Sequence, residues 1–98
     1  MNLEESIKIV IAKVQEVYDE GGFEEVVDKN TPLIGNESNL DSMSLVQLCL
    51  ALEEKSEEIG FEFDWTSETA MSKSKGMYRT VTALAEEFEI QYKQGSSQ

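Results

Sequence analysis

Apolar residues near the start of the chain fall at Leu3, Ile7, Val10, Ile11, Val14, Val17 and Tyr18, with Glu4, Glu5, Lys8, Lys13 and Glu16 between them. Steps of three and four place these side chains on one face of a helix. Gly21-Gly22 ends that helix, because glycine supplies the left-handed backbone that helix C-termini use. A second stripe, Leu45, Cys49, Leu52 and Ile59 with Leu48 beside it, predicts a helix running from about Ser42 to about Glu58 and broken by Gly60. A third stripe, Met77, Val81, Leu84, Ala85 and Phe88, predicts a last helix ending near Tyr92.

The stretches between are less regular. Phe23, Val26 and Val27 sit among acidic residues and fit either a short helical turn or a continued loop. From Asn30 to Asn39, Pro32, Gly35 and several Asn and Ser residues mark a long connection that Leu33, Ile34 and Leu40 can pin to the core. Phe61-Glu62-Phe63-Asp64-Trp65 alternates like a strand, but a lone strand has no mate. It is therefore read as an extended segment with its aromatics packed on a bundle. Thr66 or Ser67 can then cap a short third helix over Glu68, Thr69, Ala70 and Met71, and the polar run 72–76 reads as a solvated loop. The expected fold class is all-α, with three longer helices and one short third helix. Residues 1–94 form one domain, and Gly95-Ser96-Ser97-Gln98 form a frayed, disordered tail.

Charge narrows the partners. Twenty acidic residues against eight basic give a net charge of −12, which argues against nucleic acid and anionic membranes and in favour of partners with basic surfaces. No apolar stretch reaches the roughly 18 residues needed to span a bilayer. A single cysteine cannot make an internal disulfide, and no basic-plus-apolar segment precedes the first helix, so a cytoplasmic location is expected.

Catalytic chemistry finds little support. The chain has no histidine, hence no Ser-His or Cys-His pair, and it has no phosphate-binding loop of the P-loop form. Cys49 lies on an apolar stripe and reads as a small buried hydrophobe. A calcium loop starting at Asp28 would put Pro32 at a ligand position and Leu33 where the turn glycine belongs, so no metal site is expected.

One stretch carries candidate chemistry. Asp41-Ser42 opens the second apolar helix, which places the serine at a helix N-terminus, where free N–H groups and the positive dipole end favour an attached phosphate. Taken alone the pair is an ordinary helix cap. With Leu40 before it, Met43 after it, then Leu45, Val46, the Leu48 to Leu52 run and Glu53-Glu54, the segment resembles the Asp-Ser-Leu attachment motif and second helix of acyl carrier proteins. The resemblance extends from about Leu3 to Tyr92, and Tyr78-Arg79-Thr80-Val81 is similar to the segment leading into that family's last helix.

The resemblance implies an acyl-carrier-protein-like bundle, monomeric, with a 4′-phosphopantetheine arm on Ser42 donated by coenzyme A. The arm's terminal thiol would hold acyl groups as thioesters, in fatty-acid, polyketide or related biosynthesis. Asp41 would help hold the magnesium used by the phosphopantetheinyl transferase. Met43, Val46, Gln47, Leu50, Glu53 and Glu54 fall to one side of the helix, and the resemblance makes that side a docking face for acyl-loading and acyl-transfer enzymes with basic surfaces. On spacing alone Met43, Val46 and Leu50 fit a buried, central helix equally well. Small side chains such as Ala12, Cys49, Ala51 and Ala83 would let the bundle open around an acyl chain. The chain departs from the family's fatty-acid members at Ser44 and Gln47, where acidic residues are usual. It also has Met43 in place of leucine and a longer stretch from Phe63 to Thr80, which together imply a specialised carrier. An aminoacyl or peptidyl carrier, and a helical adaptor without a prosthetic group, remain alternatives.

Overall fold

The asparagine before the first helix sets its start: the Asn2 side chain accepts a hydrogen bond from the Glu5 N–H at 2.9 Å, and Glu4 and Glu5 complement the positive dipole end. The computed structural model describes residues 2–23, 25–34, 40–68, 72 and 76–96, with the backbone alone for Ser42 and Ser96. Helix α1 spans Leu3–Glu20. At its end the Gly22 N–H reaches the Asp19 carbonyl at 3.2 Å and the Phe23 N–H reaches that of Tyr18 at 2.9 Å. Gly22 sits at φ +80°, and the Phe23 and Tyr18 rings lie 5.5 Å apart. These crossed bonds and the ring contact close the helix in the manner typical of glycine C-termini. Val10, Val14, Val17 and Tyr18 are buried, and α1 packs against both other helices.

Helix α2, Ser42–Ile59, buries Leu48, Cys49 and Leu52, with Leu45 and Ile59 half-buried beside them. Gly60 lies at φ +111°, and its N–H and that of Phe61 both reach the Ser56 carbonyl, at 2.9 and 3.0 Å. A side chain at Gly60 would be strained. The buried Ser56 hydroxyl donates to the Glu53 carbonyl and accepts from the Phe63 N–H, tying the following segment to the helix.

Helix α3 runs Val81–Ser96, four residues later at its start than the apolar spacing from Met77 predicts. Thr80 is the reason: its hydroxyl accepts from the Ala83 N–H at 3.2 Å and its carbonyl from Leu84 at 3.1 Å. The next two orphan donors, the N–H groups of Val81 and Thr82, reach the carbonyls of Thr31 and Lys29, each at 3.0 Å. Met77 and Tyr78 are buried all the same, ahead of the helix. At the other end the tail expected from Gly95 is corrected: Gly95 and Ser96 belong to α3. A Cβ on Gly95 would stand 2.9 Å from the Phe61 Cβ, so the glycine lets the last turn lie against that residue. Residues 97–98 are outside the described set.

The connections carry much of the packing. Residues 25–28 are not helical; the Gln15 amide holds them by accepting from the Val27 N–H at 3.1 Å and donating to the Glu25 carbonyl at 3.2 Å. Val27 and Leu33 are buried, whereas Val26 is 86% exposed. Residues 62–65 are neither helix nor strand. Phe61 and Phe63 meet Phe88 at 5.1 and 5.3 Å, and Phe61 meets Tyr92 at 5.7 Å. Gln91 clamps this segment to α3, accepting from the Asp64 N–H at 2.6 Å and donating to the Asp64 carbonyl at 2.9 Å. The Asp64 carboxylate accepts the N–H groups of Thr66 and Ser67, at 3.3 and 3.1 Å; the cap expected from Thr66 or Ser67 involves residues outside the described set. Glu68 is helical, but Thr69, Ala70 and Met71 of the expected short helix lie outside the described residues. Among the described residues there are three helices and no strand, an all-helical arrangement around one apolar cluster. No helix among them is long and apolar enough to cross a membrane.

Candidate functional site

The first turn of α2 is held by Asp41. Its side chain accepts from the Ser44 N–H at 2.8 Å, and its carbonyl takes the Leu45 N–H at 3.0 Å. Asp41 is therefore the cap and Ser42 the first residue of the helix. The Ser44 N–H and, secondarily, the Ser44 hydroxyl hold the Asp41 carboxyl below the usual carboxylate range. A carboxyl whose pKa falls on folding stabilises the fold at pH above its unfolded value, and that stabilisation is lost as pH drops through the lower folded value. Asp41→Ala should lower the melting temperature at pH 7, and the difference from wild type should shrink as a thermal series is taken towards pH 2. A difference that stayed constant over that range would show that the carboxylate is not the cap.

Downstream of Ser42 the helix has an exposed apolar side. Met43 is 72% exposed, Val46 44% and Leu50 48%, so a central, fully buried α2 is excluded. Gln47 and Glu54 are exposed as well. Glu53 is half-buried and already engaged: its carboxylate accepts from the Trp65 indole N–H at 3.2 Å. Spacing places Glu53 on this side but gives no hint of Trp65, because residues twelve apart meet here only through the turn at Gly60.

On the buried side of α2 the Cys49 sulfur lies 3.1 Å from the Tyr78 hydroxyl. Burial pushes the Cys49 thiol up to about 11 from 9.0, partly offset by the Tyr78 contact, and burial likewise raises the Tyr78 hydroxyl. In the native protein at pH 8 the thiol should react with an aromatic disulfide reagent far more slowly than in denaturant. The folded state keeps the Cys49 proton where the unfolded state loses it, so this pair's stabilisation is complete below pH 9 and falls as pH rises towards 11. Native and denatured protein reacting at equal rates would mean the residue is accessible.

Among the described residues no group of three or more His, Cys, Asp or Glu side chains is arranged to hold a metal ion. Among the described residues, open grooves lie at Met77, Arg79, Ala83 and Ile90 and at Lys8, Ile9, Lys55, Ile59 and Tyr92. Neither includes the first turn of α2. Comparison with protein-family models, with curated proteins and with solved structures gives no match.

Proposed function

We propose that the protein is an acyl carrier whose Ser42 bears a 4′-phosphopantetheine arm. The observation that carries this reading is the conjunction at the head of α2: an Asp41 cap, a serine as first helical residue, and then exposed Met43, Val46 and Leu50. A helix that only caps and packs has no reason to leave three large apolar side chains in water close to its N-terminus.

The residues present suit such a group. Asp41 and Met43 on either side of Ser42 are exposed, so a long arm at that position has solvent beside it. When bound, the arm supplies a thiol on a flexible tether that holds an acyl group as a thioester. The chain's own part is positional. Asp41 fixes the helix start, and its exposed carboxylate is available to a magnesium-dependent transferase. The apolar side chains of the face, with Glu54 beyond them, offer a basic partner enzyme an apolar centre with acidic flanks. Ser44 and Gln47 leave that face less acidic near Ser42 than in fatty-acid carriers, which fits a specialised pathway.

The reading is tested by incubating the protein with coenzyme A, magnesium and a broad-range phosphopantetheinyl transferase and recording its intact mass. Gain of one phosphopantetheinyl group supports it, and an unchanged mass refutes it.

A further inference from the structure

We infer that Trp65 is a specificity-determining part of the docking surface and takes a cationic side chain, an arginine of the partner, against its indole ring. This rests on the reading of the exposed side of α2 as a docking face, and it adds to that face a residue from outside the helix. Helical spacing puts Glu53 three residues beyond Leu50 and seven beyond Val46, hence on the same side. Trp65 stands beside Glu53, its N–H on the Glu53 carboxylate at 3.2 Å.

The segment that carries Trp65 is held from two directions. Ser56 binds the Phe63 N–H and Gln91 binds both backbone groups of Asp64, so the indole is presented by a fixed backbone. The residue is half-buried, with its indole N–H at the Glu53 carboxylate on that side.

Charge selects the occupant. Helix α2 carries Glu53, Glu54, Glu57 and Glu58 against Lys55 alone, and Lys55 is engaged with Glu58 at 3.5 Å. One carboxylate oxygen of Glu53 serves the indole, and a carboxylate accepts more than one bond. A guanidinium stacked on an indole with a carboxylate at its edge combines cation–π attraction with a charge-assisted hydrogen bond, which a lysine ammonium matches less well. Trp65 thus makes Glu53 a directional subsite rather than one more surface charge.

The probe is a fluorescein-labelled amphipathic helical peptide with a leucine stripe bordered by arginines, and its partner peptide in which citrulline replaces each arginine. Anisotropy titrations would be run on the full-length protein and on Trp65→Phe, Trp65→Leu, Glu53→Gln and, as an equal charge change on α1, Glu16→Gln. The arginine peptide should bind wild type and Glu16→Gln alike and be about 3- to 10-fold weaker for Trp65→Leu and Glu53→Gln, with Trp65→Phe between. The citrulline peptide should be indifferent to all of these changes. Equal arginine-peptide affinity across variants that keep wild-type circular dichroism, or no binding to wild type at all, overturns the inference. Arm addition to the same variants, read separately by mass, reports whether the carrier reading itself stands.

Discussion

Phe88→Ala should remove a large share of the protein's stability. Phe88 is fully buried in α3, and its ring meets two aromatics of the segment after α2, Phe61 at 5.1 Å and Phe63 at 5.3 Å. Truncating a buried phenylalanine costs about 3–5 kcal/mol, from lost transfer energy and the cavity left behind. A chain of this size is stabilised by roughly 5–15 kcal/mol in total. At net charge −12 it carries added self-repulsion. The variant should therefore have a much lower denaturant midpoint. Ile90→Ala, two residues on and 47% exposed, should stay within about 0.5 kcal/mol of wild type, as surface changes usually do. Comparable losses at the two positions would mean that α3 is rotated about its axis.

The contrast between those two residues marks what the sequence disclosed. Val81, Leu84, Ala85 and Phe88 follow a helical stripe and are buried, since periodicity is a property of the segment itself. Where α3 begins is set by a cap rather than by the stripe: Thr80 takes the Ala83 N–H, a local signal that apolar spacing passes over. The carbonyls of Lys29 and Thr31 that take the Thr82 and Val81 N–H groups lie some fifty residues away, and nothing in the stretch from Met77 to Thr82 encodes them. The Gln91 clamp on Asp64 and the Ser56 bond to Phe63 are similar: isolated polar residues on apolar stripes whose partners lie across the fold. The glycine stops at 21–22 and 60 were legible because a backbone conformation, not a distant partner, demands them.

The candidate site divides the same way. Asp41 as cap and Ser42 as first helical residue follow from local capping rules. That Met43, Val46 and Leu50 face solvent does not follow from spacing, because a stripe has two sides and the number of helices packed around it decides which are covered. Here α1 packs against both α2 and α3, so the element at the centre of the core is α1 and the outer side of α2 is left open. Trp65 beside Glu53 and Tyr78 beside Cys49 were illegible in sequence for want of any local signal.

Ser42→Ala should abolish arm addition without unfolding the protein. On the carrier reading, the Ser42 hydroxyl oxygen would form the new bond to phosphorus and lose its proton as adenosine 3′,5′-bisphosphate leaves coenzyme A. Alanine offers no oxygen at that position. Alanine is also a strong helix former, and its neighbour Asp41 supplies the cap, so circular dichroism and the melting transition should stay close to wild type. Ser44→Ala, one residue beyond the exposed Met43, keeps the attachment hydroxyl and should still be modified. Wild type, Ser42→Ala and Ser44→Ala would be incubated with coenzyme A, magnesium and a broad-range phosphopantetheinyl transferase and compared by intact mass, with peptide mapping of the product. One phosphopantetheinyl group on wild type and on Ser44→Ala, mapped to Ser42, and none on a folded Ser42→Ala is the predicted result; no group on wild type, or a group persisting on Ser42→Ala, would contradict the carrier reading.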